Sequence, residues 1–447
     1  MKIKDIIKII DGKLLNLSRD LSVNVNEFVF DSRLIKENDV FIAINKGNNY
    51  IKDIIDIAGL IITEQNIKLE TKTPIVKVNN IIDAIGELAK NIRKKHLNIP
   101  LIAITGSIGK TTTKELLSNM LDKKYNVLKN IGNENNHIGL PKTLLKLNEK
   151  YDVIVTEMGM NHLNEIDYLS KIALPDIAII TKIGTSHIGN LKTKKNIYKA
   201  KMEIINGMNK GILIVNSDDK YLKKIKNSDK YNVNKVGLNN SDLKITYLKE
   251  YNDKITFCLI HDNIKYHFIF NVPNISLINN VILAIKAAMI LNVDMDDIVH
   301  TVKEYTSCFG RMNIIKLYND NILIDDCYNA SYESVIGSLE YIKKQSKNKI
   351  IILGDILELG NQSVKIHKKI GKKLSKIKNK EILLVGNHTK IIKKYIKKAY
   401  HFLNASELIQ YLTPKISEFK NTVILIKGSN GINLKLVKDK FDKQSNI

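Results

Sequence analysis

The sequence predicts an α/β protein of three domains. Three observations carry this. Short apolar runs such as LIAIT (101–105), YDVIVTE (151–157) and DIAIIT (176–181) alternate with helical stretches, the pattern of parallel strands buried on both faces. The pattern changes over 233–272 and resumes as strand–turn–helix units from about residue 313. A chain of 447 residues has room for two to four domains.

Taken in order, the opening MKIKDIIKIIDG places Ile3, Ile6, Ile7 and Ile10 on one helical face. Asp5 and Lys8 interrupt it, so it is not a secretory signal. FVFDSR (28–33), DVFIAI (39–44) and PIVKVNN (74–80) read as strands, and IKDIIDIAG (51–59) as a helix. These make a small α/β domain, 1–82. The helix IIDAIGELAKNIRKKH (81–96), leading into Pro100, forms the joint to a central domain, 83–312, with a doubly wound sheet. Within it VNKVGL, KITYL, KITFCLI and KYHFIFNV read as an antiparallel insert. A helix with Ala284, Ala287 and Ala288 closes it. The third domain, 313–447, is a Rossmann-like α/β unit with strands NILIDD, KIIILGD, EILLVGN and TVILIKGS. KIIKKYIKKA (390–399) reads as a basic helix with a solvated lysine face.

The net charge is +24, from 70 basic and 46 acidic residues. The lysines are spread along the chain, so the charge reads as surface composition and no nucleic acid is expected as partner. Aromatic residues at 6% also leave no stacking platform for single strands. Cys258, Cys308 and Cys327 have no metal or redox spacing, which suggests a reducing, cytoplasmic setting. No apolar run approaches the length of a membrane span, so no membrane insertion is expected.

The strongest local signal is ITGSIGKTTTKELL (104–117). A buried strand ends at Thr105, and Gly106, Ser107, Ile108 and Gly109 bend so that backbone N–H groups converge at a helix start. This is a phosphate-binding loop in the variant form TGSxGKTT, in a mononucleotide-binding (P-loop) domain. Lys110 can reach the outer phosphates, the Thr111 hydroxyl can ligate Mg²⁺, and Thr112 follows on the helix. Glu157 ends a buried strand, where a carboxylate can face the phosphates and hold Mg²⁺.

Further motifs follow in order: NIGNENNHIGLP (130–141), VIVTEMGMNHLNEI (153–166), IITKIGTSHIGNL (179–191), YKAKMEI (198–204), NISLINN (274–280) and FGRMN (309–313). With the phosphate loop they resemble the Mur ligase family over nearly the whole chain. The resemblance implies ATP-dependent joining of a carboxylate to an amine through an acyl phosphate. It implies that Asn133, Asn135 and Asn136 hold phosphate or substrate oxygens. It makes His187 a second metal ligand with Lys201, a lysine often carbamylated in Mur relatives. Asn280 is expected at the adenine and Arg311 near the phosphates once the domains close. The family pattern differs at Lys182 and Ser276, where Asn and His are usual.

IDDCYNASYES (324–334), ILGDILELG (352–360) and His367 resemble the motifs of the D-alanyl-D-alanine-adding branch. Asp325 is thereby expected near the nucleotide, and Asp326, Asn329 and His367 near substrate. His367 or Asp326 is expected to orient the amine. Cys327 replaces a small hydroxyl and is not read as a nucleophile. KGSNG (427–431) carries Asn430 where the family has Arg. Asp31, Ser32 and Arg33 with FIAINKGNNY resemble the segment that holds a uridine diphosphate, so Ser32 and Arg33 are expected to bind it. A family DGH is replaced near Asn48, Asn49 and Tyr50.

On this reading 1–82 binds the UDP-linked muramyl peptide, 83–312 binds ATP and Mg²⁺, and 313–447 presents D-alanyl-D-alanine, in a monomer. The alternative is another amide ligase of the superfamily, like folylpolyglutamate synthase or cyanophycin synthetase. A nucleic-acid-binding NTPase is the rival of a different class.

Overall fold

The structure is a computed structural model, and it describes residues 1–16, 20–239, 241–251, 254–272, 274–307, 309–396 and 398–445. Cys308 and Lys397 lie outside the described residues.

The N-terminal sheet has five strands in the order Lys13–Leu14, Ile75–Lys77, Leu60–Thr63, Val40–Ile42, Phe28–Val29. Only the first pair is antiparallel. Two of these strands, Lys13–Leu14 and Leu60–Thr63, were not expected. FVFDSR is a strand only at Phe28–Val29. The Asp31 side chain accepts the Arg33 N–H and turns Ser32–Leu34 into a 3₁₀ turn, a local bond that competes with the strand ladder. IKDIIDIAG is helical only over Ile51–Ile54.

The helix Ile81–Lys95 starts where Asn80 accepts the N–H groups of Ile82 and Asp83, a side-chain cap. The boundary expected after residue 82 therefore falls inside its first turn. Its far end is fastened by Arg93, which is fully buried. Arg93 donates to the carbonyls of Ala173, His96 and Ile99 and pairs with Asp176 at 3.0 Å.

The central sheet is parallel throughout, in the order Tyr231–Val236, Gly211–Asn216, Ile177–Ile180, Leu101–Thr105, Val153–Glu157, Val127–Lys129. Leu101–Thr105 therefore lies between strands that follow it in sequence, and a crevice opens at its carboxyl end. One expectation is corrected here. VNKVGL belongs to the strand Tyr231–Val236, a parallel edge of this sheet, and not to the antiparallel insert. The insert is a separate three-stranded sheet, Lys244–Glu250, Ile255–His261 and Ile264–Phe270. Asp262 and Asn263, both at positive φ, make its tight hairpin turn. The alanine-bearing helix Ile278–Ile290 packs on the phosphate-loop helix Lys110–Leu121.

The C-terminal sheet runs Asn313–Leu317, Asn321–Asp326, Thr422–Lys427, Asn348–Gly354, Lys380–Val385, Ala399–Phe402. The first pair is antiparallel and the rest are parallel. The basic segment from Lys390 is not an α-helix. Thr389–Tyr395 is 3₁₀, and Ala399 already begins an edge strand. No helix of the described residues is long and apolar enough to cross a membrane.

Candidate active site

The carboxyl ends of the central strands face a cleft of about 730 Å³. Its walls come from the central domain, with Lys110, Glu157, Asn280 and the hinge residue Arg311, and from the C-terminal domain, with Asn329 and Lys427. A smaller cavity of about 300 Å³ adjoins it, between Lys110 and the loop Ile356–Leu359.

The phosphate loop is built for close approach. Gly109 has φ +85°, and a Cβ there would lie 2.2 Å from the Asn280 Oδ1. At Gly106 a Cβ would lie 1.8 Å from the Thr181 Oγ1. Only glycine fits both positions. The loop is fastened from outside. Ser107 Oγ accepts the Gly184 N–H at 2.8 Å, Ser107 O accepts from Ser186 Oγ at 2.8 Å, and Ile108 O accepts from Thr181 Oγ1 at 2.5 Å. Thr112 is buried and lines the cleft from the first turn of the helix.

Glu157 is the centre of the polar network. Its carboxylate accepts from Thr111 Oγ1 at 2.5 Å and Asn135 Nδ2 at 2.7 Å, and lies 4.0 Å from the Lys110 ammonium. Its N–H donates to Asn130 Oδ1 at 2.9 Å. Lys110 reaches back to Gly106 O at 3.1 Å. Burial pushes the Lys110 ammonium below its ordinary pKa; Glu157 opposes this shift and Arg311 adds to it. Lys201, 1% exposed, is pushed further down by burial and then by Lys110, against Glu157 and Glu203. Two lysines thus share one buried region with one central carboxylate, and an anionic guest would favour their charged forms.

Asn133, Asn135 and Asn136 all border the cleft, but the side-chain oxygen of Asn136 already accepts the Ile138 and Gly139 N–H groups just before and at the start of the helix Gly139–Leu144. His187 takes a left-handed φ of 60°. Its Nδ1 sits 2.6 Å from Glu358 Oε2, yet no aligned hydrogen bond forms there. The contact with His187 holds the Glu358 carboxyl below its ordinary range, against the opposing effect of burial. Arg311 stacks on the Tyr328 ring at 4.3 Å.

Two residues of the C-terminal motifs expected in the site are placed elsewhere. Asp325 is fully buried, and its carboxylate accepts the N–H groups of Gly310 and Cys327. It pins the hinge and does not reach the cleft lining. His367 is also fully buried: Nδ1–H donates to Ser363 O at 2.9 Å and Nε2 accepts the Ile356 N–H at 3.3 Å. Both nitrogens are engaged by backbone, so His367 has none left for an amine. Asp326 does line the cleft but is paired with Lys427 at 2.7 Å and with Ser338 Oγ at 2.5 Å. Burial, reinforced by Asp325, pushes the Cys327 thiol far up, which leaves it inert.

Ser32 and Arg33 lie outside both cavities. The Arg33 side chain is 85% exposed and forks onto Asp31, with Nη2–Oδ2 at 2.6 Å and Nε–Oδ1 at 2.9 Å. This hydrogen-bonded pair holds the exposed Asp31 carboxyl down at about 2.

Sequence reasoning missed the carboxylates that join the two larger domains. Glu333 accepts from Thr185 N and Oγ1 at 3.0 and 2.8 Å and from Lys194 at 3.0 Å. Glu358, besides facing His187, accepts the Gly189 N–H on its backbone oxygen at 2.8 Å. Glu358 stands in the ELG motif, the one signal that could have marked it.

Comparison with known proteins agrees with this geometry. The model of the Mur ligase middle domain matches residues 104–288, and that of the Mur ligase glutamate ligase domain matches 310–430. A UDP-N-acetylmuramoyl-tripeptide--D-alanyl-D-alanine ligase of Buchnera aphidicola (Acyrthosiphon pisum) is 31% identical, covering 94% of this chain and 94% of its own. The chain belongs to the Mur ligase family. The like-named ligase of Rickettsia prowazekii is also 31% identical to this Mur ligase, over 94% of this chain and 96% of its own. A crystal structure of MurF from Acinetobacter baumannii superposes with TM-score 0.89 at 26% identity, covering 99% of this chain and 98% of that one. MurF from Thermotoga maritima, solved with ADP, superposes with TM-score 0.82 at 25% identity, covering 94% and 98%. The resemblance to the D-alanyl-D-alanine-adding branch is therefore borne out.

Proposed function

We propose that this Mur ligase adds D-alanyl-D-alanine to UDP-N-acetylmuramoyl-tripeptide, driven by ATP, in the assembly of the cell-wall precursor. One observation carries the reading. Lys110 and Glu157, whose carboxylate holds the Thr111 hydroxyl, meet at the end of the phosphate loop and share a cleft with Arg311 of the family hinge motif and Asn329 of the branch motif.

The backbone N–H groups of 108–112 would cradle the ATP phosphates, with Lys110 and Arg311 on the outer ones. Asn280, against Gly109, would meet the adenine. The Thr111 hydroxyl and Glu157 carboxylate oxygens, 2.5 Å apart, are hard donors that fit Mg²⁺, which when bound supplies neutralisation of phosphate charge. His187 would contribute to a second such site. Lys201 as an ammonium repels a cation; as a carbamate it would offer oxygen ligands.

The tripeptide carboxylate forms a bond to the γ-phosphorus, the bond to the β,γ-bridging oxygen breaks, and ADP leaves. The dipeptide amine then attacks the acyl carbon. The C–N bond forms, the C–O bond to phosphate breaks, and phosphate leaves while the nitrogen loses its proton. Positioning and charge stabilisation carry most of the rate. Asn133, Asn135 and Asn136 would hold phosphate or substrate oxygens, and Asp326 and Asn329 would form the C-terminal wall. We assign 1–82 to the uridine diphosphate, through Ser32 and Arg33. We assign 83–312 to ATP and 313–447 to the incoming amine, in a monomer working in the cytoplasm.

ADP release measured across candidate amines tests the reading, with Lys110→Ala as the blank. Release dependent on D-alanyl-D-alanine and the UDP-linked tripeptide is expected, with near-complete loss in the variant. Release driven by folate and glutamate instead would replace the reading.

A further inference from the structure

Neither residue first expected to orient the amine is free to do so. His367 has both nitrogens bonded to backbone, and Asp326 is paired with Lys427. A dipeptide ammonium nevertheless needs a partner, and in the main cleft Glu157, Glu165 and Asp326 are already engaged, by Thr111 and Asn135, by Asn161, and by Lys427.

The smaller cavity supplies one. Glu358 is the only carboxylate among the described residues that line it. Its side chain is 52% exposed, so the carboxylate is accessible. The same cavity is bordered by Lys110, Asn133 and His187, where the acyl phosphate would form. Ile356, Leu357, Leu359 and Ala330 give it a small apolar wall, suited to methyl groups.

The loop that presents Glu358 is fixed at several points. Glu358 has φ 60°, a left-handed conformation rare for a side-chain-bearing residue. Its carbonyl is held by Gly189 N–H, Leu357 N–H donates to Ser429 Oγ at 2.9 Å, and Ile356 N–H donates to His367. His367 thus acts as a positioning residue for this loop. The carboxylate's contact with His187 is short but not aligned as a hydrogen bond. An N–H⁺ donor of better geometry could replace it.

We propose that Glu358 is the docking carboxylate for the ammonium of D-alanyl-D-alanine, placing that nitrogen beside the phosphate loop. The assignment rests on the functional reading above. The full-length Glu358→Gln variant tests it, because glutamine keeps the length and the backbone contacts but removes the charge.

The KM for D-alanyl-D-alanine should rise at least about tenfold. The KM for ATP, and the tripeptide-dependent ADP–ATP exchange measured without any amine, should stay within about twofold. N-acetyl-D-alanyl-D-alanine, used as an inhibitor, should bind wild type at least about tenfold more weakly than the free dipeptide, and this discrimination should vanish in the variant. A purely structural role would weaken both ligands alike, and that result overturns the proposal. An unmoved KM in the variant overturns the assignment to Glu358 alone. Wild-type enzyme that releases no ADP with D-alanyl-D-alanine overturns the substrate reading, and the proposal with it.

Discussion

Replacing Gly109 by alanine separates backbone strain from site geometry. The residue sits at φ +85°, where a Cβ costs roughly 1–2 kcal/mol. That cost alone would lower the melting temperature by a few degrees. The added methyl also lies 2.2 Å from Asn280 Oδ1 and 2.6 Å from its Cγ. Relief requires a shift on the order of 1 Å, either of the loop or of Asn280. Either shift disturbs a proposed ATP contact, and a misplacement of about 1 Å costs on the order of 100-fold in rate. Gly132 provides the control: it has φ +56° and nothing within 4 Å of a built Cβ. Gly132→Ala should suffer the same few degrees of destabilisation and keep its turnover. Gly109→Ala should lose about 100-fold in kcat/KM for ATP in an ADP-release assay. Gly109→Ala within about threefold of wild type would refute the reasoning, as would equal losses in both variants.

Two further outcomes concern stability. Burial holds the His367 pKa below its ordinary 6.5, outweighing the Ser363 carbonyl and Asp355, which pull it upward. The native state therefore binds this proton less readily than the unfolded chain, and stability present above 6.5 should be lost as the pH falls below it. Urea titrations from pH 7.5 to about 5.5 should show a decline that His367→Gln flattens; parallel curves would contradict it. Lys427→Met leaves the Asp326 carboxylate buried without its partner and should cost about 3–5 kcal/mol. Adding Asp326→Asn should recover part of that in the same titration, and no recovery would mean the pair is not coupled.

What the sequence made legible follows from range. The phosphate loop is a continuous strand–turn–helix, so glycine spacing and strand composition locate Lys110 and Thr111 directly. The central strands are apolar on both faces and stand out for that reason. Motif order does not say which way a side chain points. Asp325 and Asp326 are adjacent on one strand, so they face opposite sides of the sheet; Asp326 reaches the cleft, whereas Asp325 holds the hinge. His367 keeps its motif position but is buried under the loop it supports. Lys13–Leu14 is a two-residue strand, too short to show any period. The VNKVGL segment reads as a strand, but its parallel pairing with Gly211–Asn216 depends on tertiary placement. Glu333 and Glu358 act across a domain boundary, on Thr185 and His187. No local pattern encodes such a contact.

The central claim is that phosphate passes through the substrate carboxylate before the amide forms. The measurement that tests it is the fate of ¹⁸O placed in the terminal carboxylate of the UDP-linked tripeptide, followed through one turnover with ATP and D-alanyl-D-alanine. An acyl phosphate delivers one labelled oxygen to the released inorganic phosphate. Phosphate free of label, with ADP still released and the amide formed, would contradict the account.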